Sequence, residues 1–268
     1  MSLAGRVVLI TGASRGIGLG IARTLAAKGM AVALSDVRDE VLSVAETLRG
    51  EGHAAIGIVA DVRRKAEVEA MVERTESELG PLWALVNNAG ALTFGPTAEL
   101  SEEDWDLAMD VDAKGVFLCS QAAIRRMIPR GEGRIVNVTS IAAVVVRTGQ
   151  IGYCAAKAAS NHFTRCLAIE MAPHGITVNA IMPGMTKTEM LVDSFAARRM
   201  SLDAMLNLIP AGRFAMPEDH AALVAWLASE ESQHVTGQLI SVDGGQSQLM
   251  PLLREVATDA APATGDPR

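Results

Sequence analysis

A tyrosine and a lysine that stand four residues apart could carry acid–base chemistry. Tyr153 is the only tyrosine of the chain, and Lys157 follows at a spacing that puts both side chains on one face of a helix. A phenol has a pKa of about 10 in water, so it exchanges protons at neutral pH only where nearby positive charge favours the phenolate. A lysine ammonium supplies such charge, and a hydroxyl such as Ser140 can hydrogen-bond a reacting oxygen. These residue types fit the oxidation of a secondary alcohol, which loses a proton and a hydride.

A glycine-rich turn near the start of the chain could hold a nucleotide. It reads Thr-Gly-Ala-Ser-Arg-Gly-Ile-Gly over residues 11–18, between an apolar run and a helical pattern. Glycines let the backbone approach a pyrophosphate, whose charge is met by N–H groups and by the positive end of a helix. A tight turn between a strand and a helix would show the same glycines without any ligand. The predicted contacts are Gly12, Ser14, Arg15, Gly16, Ile17 and Gly18.

Asp36 stands eighteen residues beyond Gly18, close to the place where an acidic residue holds the adenosine ribose in nucleotide-binding folds. The alternative is that Asp36 is the N-cap of a helix starting near Arg38. A carboxylate accepts from both ribose hydroxyls and repels a 2′-phosphate, which favours NAD over NADP. Arg15 and Arg38 argue for NADP, because either guanidinium could reach a 2′-phosphate.

Short apolar runs alternate with helical patterns along the chain. The runs are Val7–Ile10, Ala31–Leu34, Ala55–Ala60, Trp83–Val86, Ile135–Val138, Thr177–Met182 and Leu239–Val242; the helical patterns are Ile17–Lys28, Glu40–Arg49, Ala66–Leu79, Ala113–Ile128 and Cys154–Ala172. This alternation predicts an α/β fold, a single-domain Rossmann fold with a doubly wound, seven-stranded parallel sheet and helices on both faces.

The predicted catalytic domain covers residues 1–247. Within it, residues 185–215 have no strand pattern, and six of the 13 methionines fall between Met182 and Met216, so we expect a substrate-covering segment there. Ordinary core filling would explain the methionines equally well. Residues 248–268 are rich in Ala, Pro, Thr and Asp, which predicts a poorly ordered C-terminal extension.

Composition narrows the classes of function. With 49% hydrophobic and 21% charged residues the chain can bury a core, and a net charge of −7 without a basic run argues against nucleic acid or a membrane surface as partner. Three widely spaced cysteines, Cys119, Cys154 and Cys166, indicate free thiols, and no metal site is expected. The start resembles neither a signal peptide nor a membrane span, so we expect a cytoplasmic protein.

The spacing of the glycine turn, together with several motifs downstream of it, resembles the short-chain dehydrogenase/reductase family from about Leu3 to Gly245. These markers each come after a predicted strand or lie between two: Asp61-Val62, Asn87-Asn88-Ala89-Gly90, Ser140, Tyr153-x-x-x-Lys157, Pro183-Gly184 and Asp243-Gly244-Gly245. The resemblance implies that Asp61 and Val62 bracket the adenine, that Lys157 binds the nicotinamide ribose, and that Thr188 contacts the nicotinamide carboxamide or the pyrophosphate. It also implies further cofactor contacts by Asn88, Ala89, Gly90, Tyr153, Pro183, Gly184 and Thr186. Related enoyl reductases separate their Tyr and Lys by six residues, whereas three intervene here.

Asp112 departs from the family pattern, in which an Asn stands in a Val-Asn-x-x-Gly element. The family Asn helps to hold a water that links the lysine to solvent. An ionised Asp112 near Lys157 would stabilise the ammonium and weaken its field at Tyr153. We therefore count Asp112 among the catalytic positions and expect a more alkaline optimum for oxidation. A tolerated replacement with the same helix contacts is the alternative.

The only indication of the substrate is the position of one arginine in the sequence. Arg147 precedes Tyr153 by six residues, and with the Pro-Gly-x-Thr-x-Thr element at 183–188 this spacing is similar to that of the dihydro-dihydroxybenzoate dehydrogenases. A guanidinium there could bind a carboxylate, which predicts an anionic substrate contacted by Arg147 and Met185. A solvated arginine is the alternative. Arg198 and Arg199 could serve similarly, whereas Arg213 more naturally organises its loop.

Three functions remain open at this point. The first is an NAD-dependent dehydrogenase of a cyclic diol, hydroxy acid, polyol or sugar; the second is an NADPH-dependent ketoreductase of β-ketoacyl or related carbonyl substrates. The third is a non-catalytic dinucleotide sensor, because a fold does not fix a function. The resemblance also implies a homotetramer or homodimer, formed through the helices at Ala113–Ile128 and Tyr153–Ala172. Apolar residues such as Phe163, Leu167 and Met171 fit such an interface and fit packing on the sheet as well.

Overall fold

Seven parallel strands form one sheet in the order β3-β2-β1-β4-β5-β6-β7. The computed structural model describes residues 3–189, 191, 192, 195 and 205–248. The strands are β1 (Val7–Thr11), β2 (Ala31–Asp36), β3 (Ala55–Val59), β4 (Leu82–Asn87), β5 (Gly133–Val138), β6 (Ile176–Pro183) and β7 (Leu239–Val242). The chain winds outward from β1 to β3 and then returns to β4 on the other side of β1. A crevice therefore opens at the carboxyl ends of β1 and β4, where folds of this type bind ligands.

Helices cover both faces of the sheet. They are α1 (Gly16–Ala27), α2 (Glu40–Gly50), α3 (Lys65–Leu79), α4 (Glu102–Met109), α5 (Val116–Met127), α6 (Ile151–Met171) and α7 (Pro217–Leu227). Buried side chains of α1, α2 and α7 form a core on one face, and those of α3, α5 and α6 form a core on the other. The predicted doubly wound α/β fold is therefore confirmed.

The strands are apolar throughout because both of their faces are covered. In β1, Val8 and Ile10 point into the core with α1, whereas Leu9 between them points into the core with α3. All three side chains are completely buried. Successive strand residues face opposite sides of a sheet, so a strand between two helical layers must be a continuous apolar run.

Two helices, α4 and α7, were not anticipated from the sequence, and a third helix begins differently from its prediction. Helix α4 begins after Ser101, whose hydroxyl accepts from the N–H of Asp104 at 3.1 Å. Helix α7 begins with Pro217, a residue suited to a first helical position. The predicted helix over Ala113–Ile128 begins instead as a π-helical turn, Asp110–Gly115, which joins α4 to α5.

The segment after β6 is described in part. Thr186 forms an isolated parallel bridge with Ala215, a pairing that the predicted absence of a strand did not foresee. Arg198 and Arg199 lie outside the described residues, as does the predicted extension beyond Gln248. The three cysteines are unpaired, as predicted. Among the described helices, none combines the length and the apolar character needed to cross a membrane.

Candidate active site

The glycine-rich turn is fixed to the end of β4 by side-chain hydrogen bonds. The hydroxyl of Thr11 accepts from the backbone N–H groups of Asn88 and Ala89, each at 3.1 Å. In return, the amide of Asn88 donates to the carbonyl oxygens of Thr11 and Gly12 at 2.9 and 2.8 Å. Gly12 has φ of +63°, and a Cβ there would lie 2.7 Å from the Cα of Ala89. The close approach of the two loops therefore requires glycine at this position.

The turn leads into helix α1, whose first backbone N–H groups have no side-chain acceptor among the described residues. Arg15 at the N-cap makes no side-chain capping bond, and the first turn of α1 contains no acidic residue. Gly16 and Ile17 line the large cavity of the molecule, so backbone amides and the positive helix end face open space. This arrangement fits a pyrophosphate, and a nicotinamide dinucleotide has one at its centre.

Asp36 ends β2 beside this turn. Its Oδ2 accepts from the N–H and the hydroxyl of Ser14 at 3.1 and 2.7 Å, and its Oδ1 accepts from the N–H of Arg38 at 3.2 Å. The alternative of an N-cap is wrong, because Asp39 occupies the N-cap of α2. The Asp36 carboxylate instead orders the glycine turn while it also lines the cavity.

Asp61 and Val62 line the same cavity after β3. The carboxylate of Asp61 binds the guanidinium of Arg63, with Nε at 2.9 and 3.0 Å and one terminal nitrogen at 2.7 Å. Hydrogen bonding to Arg63 holds the pKa of Asp61 below its ordinary value, although partial burial opposes this. The carboxylate is therefore charged and held in place by a residue that the sequence analysis did not single out.

Tyr153 and Lys157 lie on α6, in its first and second turns, and both line the cavity with Ser140. The Lys157 ammonium donates to the carbonyl of Val138 at 3.1 Å and lies 2.9 Å from Oδ1 of Asp112. Its Nζ is 5.6 Å from the centre of the Tyr153 ring. An ammonium has three N–H donors. One is held by the Val138 carbonyl, and the ammonium forms an ion pair with Asp112, so an N–H remains that can bind a ligand.

Asp112 is completely buried behind the cavity wall, within the π-helical turn. Its Oδ2 accepts from the N–H of Ala91 at 3.2 Å, and its backbone carbonyl accepts from the hydroxyl of Ser160. A Cβ on Gly90 would lie 2.9 Å from its Oδ1, so only glycine fits between this carboxylate and the cavity. The carboxylate therefore reaches Lys157 directly, without an intervening group.

The pKa values of this pair reflect burial and charge together. Burial alone lowers the pKa of Lys157, but the carboxylate of Asp112 and the phenol of Tyr153 outweigh it, so the pKa lies above its ordinary value. Burial raises the pKa of Asp112, and the Lys157 ammonium and the Ala91 N–H oppose that rise without cancelling it. The carboxylate of Asp112 thus favours the ammonium form of Lys157.

The cavity has a volume of about 430 Å³, which falls in the range of cofactor and substrate sites. Most predicted site residues line it: Gly12, Arg15, Gly16, Ile17, Asp36, Asp61, Val62, Asn88, Ala89, Gly90, Ser140, Arg147, Tyr153, Lys157, Pro183, Gly184, Met185, Thr186 and Thr188. Three do not. Ser14 is turned toward Asp36, Gly18 is packed against Gly12 and Asn88, and Asp112 lies behind Gly90. No cluster of metal ligands occurs in the described ranges.

A second part of the cavity wall is apolar and carries one arginine. Leu92, Leu107 and Met185 line the cavity together with Arg147. Arg147 is half-buried, and its guanidinium has no hydrogen-bond or ion-pair partner among the described residues. Arg213 lies elsewhere and binds Asp219 at 2.6 and 2.9 Å, so it organises its loop as expected.

Glu189 is a cavity residue that sequence reasoning missed. Its carboxylate lies 3.3 Å from the guanidinium of Arg15, across the cleft from the glycine turn. Because 174 residues separate the two along the chain, no local pattern could have indicated the contact. Thr11 was also missed, although its position between a strand and the glycines was a usable signal.

The fold and this cavity define a nucleotide-binding oxidoreductase of the Rossmann type. A family model described as "Enoyl-(Acyl carrier protein) reductase" matches residues 12–247. The chain belongs to the short-chain dehydrogenase/reductase family, whose members use a nicotinamide cofactor, and it is an enzyme acting on CH–OH groups.

Relatives of known description act on varied substrates. Oxidoreductase UcpA of Salmonella typhimurium is 41% identical over 252 residues, covering 91% of this chain and 95% of the relative. A cis-4-hydroxycyclohexanecarboxylate dehydrogenase of Sinomonas cyclohexanicum is 40% identical, with 92% and 99% covered. A 2,3-dihydro-2,3-dihydroxybenzoate dehydrogenase of Bacillus subtilis is 39% identical, with 90% and 95% covered.

Solved structures agree with the fold. A short-chain type dehydrogenase/reductase from Mycobacterium marinum superposes with a TM-score of 0.84 at 35% identity, covering 91% of this chain and 96% of that one. A variant of actinorhodin polyketide ketoreductase with NADPH superposes with a TM-score of 0.88 at 34% identity, with 91% and 98% covered.

Proposed function

We propose that the protein is an NAD-dependent dehydrogenase of secondary alcohols in which Tyr153 acts as general acid and base. The observation that carries the proposal is the convergence of Ser140, Tyr153 and Lys157 on the same cavity as the glycine turn and Asp36. Acid–base groups and a nucleotide cradle in one cleft are what hydride transfer between a dinucleotide and an alcohol requires.

The residues have distinct roles in this proposal. A bound nicotinamide dinucleotide supplies the acceptor or donor of hydride. Tyr153 takes the hydroxyl proton during oxidation and returns it during reduction, and the Lys157 ammonium favours the phenolate that does so. Ser140 is 6% exposed at the cavity wall, and its hydroxyl accepts from the N–H of Ala142 at 3.1 Å, so the hydroxyl proton is free to bind the reacting oxygen.

Asp36 supports NAD as the cofactor. Its carboxylate is held toward the cavity by Ser14 and by the backbone of Arg38, in a place where it would repel a 2′-phosphate. Arg15 has a counter-charge in Glu189, which reduces its attraction for an added phosphate. Both observations point to the same dinucleotide.

Arg147 supports a substrate with an apolar body and a carboxylate. A half-buried guanidinium without a counter-charge among the described residues, beside leucine and methionine side chains, is suited to a carboxylate on a ring or chain. Two of the relatives described above act on cyclic carboxylates by their names. We place the substrate in the class of hydroxylated cyclic or acyclic carboxylic acids.

The second candidate is an NADPH-dependent ketoreductase. The guanidinium of Arg38 lines the cavity and is unpaired within the described part of the chain, so it is available to a 2′-phosphate. A 3-oxoacyl-[acyl-carrier-protein] reductase of Synechocystis is 36% identical over 248 residues. The two candidates differ in cofactor and in the favoured direction of reaction.

We also propose that the protein is a cytoplasmic homotetramer or homodimer. Leu167 and Met171 are buried in the core of the sheet, so they do not supply the interface. Phe117 of α5 is 42% exposed and packs edge-on against Phe163 of α6, and Ile169 is 74% exposed. Phe117 and Phe163 bring the two helices into apolar contact, and Ile169 is a separate exposed apolar side chain; light scattering of the purified protein tests whether copies associate through these helices.

The deciding experiment follows NADH or NADPH absorbance with a panel of secondary alcohols and ketones. The panel pairs carboxylated and uncarboxylated members of each cyclic and acyclic type. Turnover with NAD and carboxylated alcohols supports the proposal, and turnover confined to NADPH and carbonyl substrates supports the ketoreductase. Dinucleotide binding without turnover across the panel would favour the sensor.

A further inference from the structure

A histidine behind the cavity wall is buried, and no charged side chain among the described residues hydrogen-bonds to it. His220 of α7 is completely buried. Its Nε2 lies 2.8 Å from the hydroxyl oxygen of Thr186, and that oxygen lies 3.1 Å from the carbonyl oxygen of Gly184. Gly184 and Thr186 line the cavity, whereas His220 does not. The histidine is therefore hydrogen-bonded to the site through Thr186.

The hydrogen bonds of this chain have one consistent direction. The Thr186 hydroxyl has a single proton, which it donates to the Gly184 carbonyl, so the Nε2 of His220 must carry the proton that Thr186 accepts. The Nδ1 of His220 has no hydrogen-bond partner in the part of the chain that the structure describes. Nδ1 then carries a lone pair and no proton. Leaving a buried lone pair without a partner costs less than leaving a buried N–H without one. His220 is thus a neutral donor held in one tautomer.

Helix α7 connects the two loops that meet at the cleft. A Cβ on Gly20 of α1 would lie 2.4 Å from Pro217, so the start of α7 is pressed against the helix of the glycine turn. Farther along α7, His220 reaches the loop after β6. That loop is also paired with residue 215: the N–H of Lys187 donates to the carbonyl of Ala215 at 2.8 Å, and the N–H of Ala215 donates to the carbonyl of Met185 at 3.0 Å.

The one charged neighbour on α7 does not explain the buried histidine. Asp219 precedes His220, but its carboxylate is bound by the guanidinium of Arg213 and by the N–H of Met216. An apolar side chain would fill the place of His220 at less cost than an imidazole, unless the donor at Nε2 is used. The contact that uses it is the one to Thr186.

We propose that His220 is a positioning residue that fixes the loop Gly184–Thr186 against the cleft. By holding the Thr186 hydroxyl, it orients the Gly184 carbonyl and keeps the Met185–Ala215 pairing closed. This proposal rests on the proposed dinucleotide site for its functional consequence, because the loop lies at the wall that the cofactor would touch. The local order of the loop is a separate consequence, which does not depend on any ligand.

The test measures amide hydrogen exchange of Lys187 and Ala215 in the protein without ligand. In His220→Leu the donor is lost while an apolar volume remains, and we expect exchange of both amides to rise about tenfold or more. His220→Gln places an amide donor near the position of Nε2 and is expected to restore slow exchange. Thr186→Val should reproduce the leucine variant, and combining Thr186→Val with His220→Leu should add nothing further.

The matched control is Val224→Ala, which removes volume from the same face of α7 at a completely buried site in the core. It should lower the melting temperature and leave exchange at Lys187 close to that of the parent. Equal exchange in His220→Leu and the parent, or equal acceleration in Val224→Ala, would overturn the proposal.

Fluorescence titration with NADH gives the functional readout. We expect the dissociation constant to rise about three- to tenfold in His220→Leu and to recover in His220→Gln. Unchanged affinity in a variant with a loosened loop would overturn the link to the cofactor. If the parent bound no dinucleotide, the proposed function would fail, while the exchange data would still decide whether His220 holds the loop.

Discussion

The carboxylate of Asp112 lies 2.9 Å from the ammonium of Lys157, and both side chains are buried. When Asp112 is ionised, the positive charge that acts on the Tyr153 phenol has a negative charge directly behind it. The field of an ion pair at a third group is weaker than that of the ammonium alone. This contact involves Asp112, the residue at which the sequence departs from the family pattern.

Replacing Asp112 by Asn should move the pH profile of alcohol oxidation to lower pH. The carboxylate raises the pKa of Lys157 and offsets its field at the phenol. Without the carboxylate, the acidic limb of the pH profile moves to lower pH because the full field of the ammonium favours the phenolate. The basic limb also moves to lower pH because burial lowers the pKa of a lysine that has no carboxylate partner. We expect a shift of roughly one pH unit in kcat/KM.

The control for that shift is Asp110→Asn. Asp110 belongs to the same π-helical turn, but it is half-exposed and binds Lys114 at 3.1 Å. The pH profile of Asp110→Asn should match that of the parent. Superimposable profiles for Asp112→Asn and the parent, or a shift to higher pH, would contradict a role for the ion pair.

Replacing Asp36 by Ser should change the cofactor preference. The carboxylate that repels a 2′-phosphate is lost, so the ratio of kcat/KM for NAD to that for NADP should fall by about tenfold or more. Asp39→Ser, which removes an equal charge at the N-cap of α2, is the control. An unchanged ratio in Asp36→Ser would show that the carboxylate does not select the dinucleotide.

Removing the ion-pair partner of Arg15 should shift the cofactor preference further toward NADP. Glu189→Gln removes the counter-charge at 3.3 Å from Arg15. We expect the affinity for NADP to rise severalfold on the Asp36→Ser background, since the freed guanidinium can bind the added phosphate. Steady-state kinetics with both dinucleotides measure the effect, and no gain would mean that Arg15 does not reach the phosphate.

Replacing Arg147 by Ala should separate carboxylated from uncarboxylated substrates. The KM for a carboxylated alcohol should rise about ten- to a hundredfold with a smaller change in kcat, because a charged hydrogen bond to the substrate is lost. Uncarboxylated analogues should be little affected. Arg125→Ala serves as control, since Arg125 binds Glu69 on the outer surface. Equal effects on both substrate types would rule out recognition of the carboxylate.

We expect His220 to make the folded protein sensitive to acid. Burial lowers its pKa from 6.5 to about 4, although Asp219 opposes this. Its contribution to stability is thus complete above pH 6.5 and is lost as the pH falls toward 4, because the unfolded chain takes up a proton that the folded chain does not. The free energy of unfolding should lose about 2 to 3 kcal/mol from this group between pH 7.5 and 4.5.

Urea unfolding at those two pH values checks the loss. In His220→Gln the difference between the two should shrink by that amount, whereas His162→Gln, a change at an exposed position of α6, should leave it unchanged. A pH dependence in His220→Gln equal to that of the parent would contradict the burial of a neutral imidazole.

The sequence was most informative where chemistry and local spacing coincide. The apolar runs predict the sheet because every inner strand is covered on both faces, and Tyr153 and Lys157 share a helix face by their spacing alone. The departure at Asp112 indicated an interaction with Lys157, and the structure shows direct contact. The glycine turn and Asp36 come together because the carboxyl ends of neighbouring strands meet at one edge.

Contacts between distant segments could not be predicted from the sequence. Thr186 and His220 are 34 residues apart, and no periodicity links a loop threonine to a histidine within an unpredicted helix. The π-helical turn was missed for a different reason: the apolar spacing of such a turn differs little from that of an α-helix. No local pattern indicated that the hydroxyl of Ser14, a predicted cofactor contact, donates to Asp36 at 2.7 Å.

The central claim is that Tyr153 exchanges the substrate proton while a dinucleotide occupies the same cavity. The most direct test compares NADH formation by the parent and by Tyr153→Phe on a carboxylated secondary alcohol, alongside NADH binding by fluorescence. The phenylalanine variant should bind NADH with an affinity within about threefold of the parent and lose at least about a thousandfold in kcat. Turnover by Tyr153→Phe close to that of the parent would contradict the account.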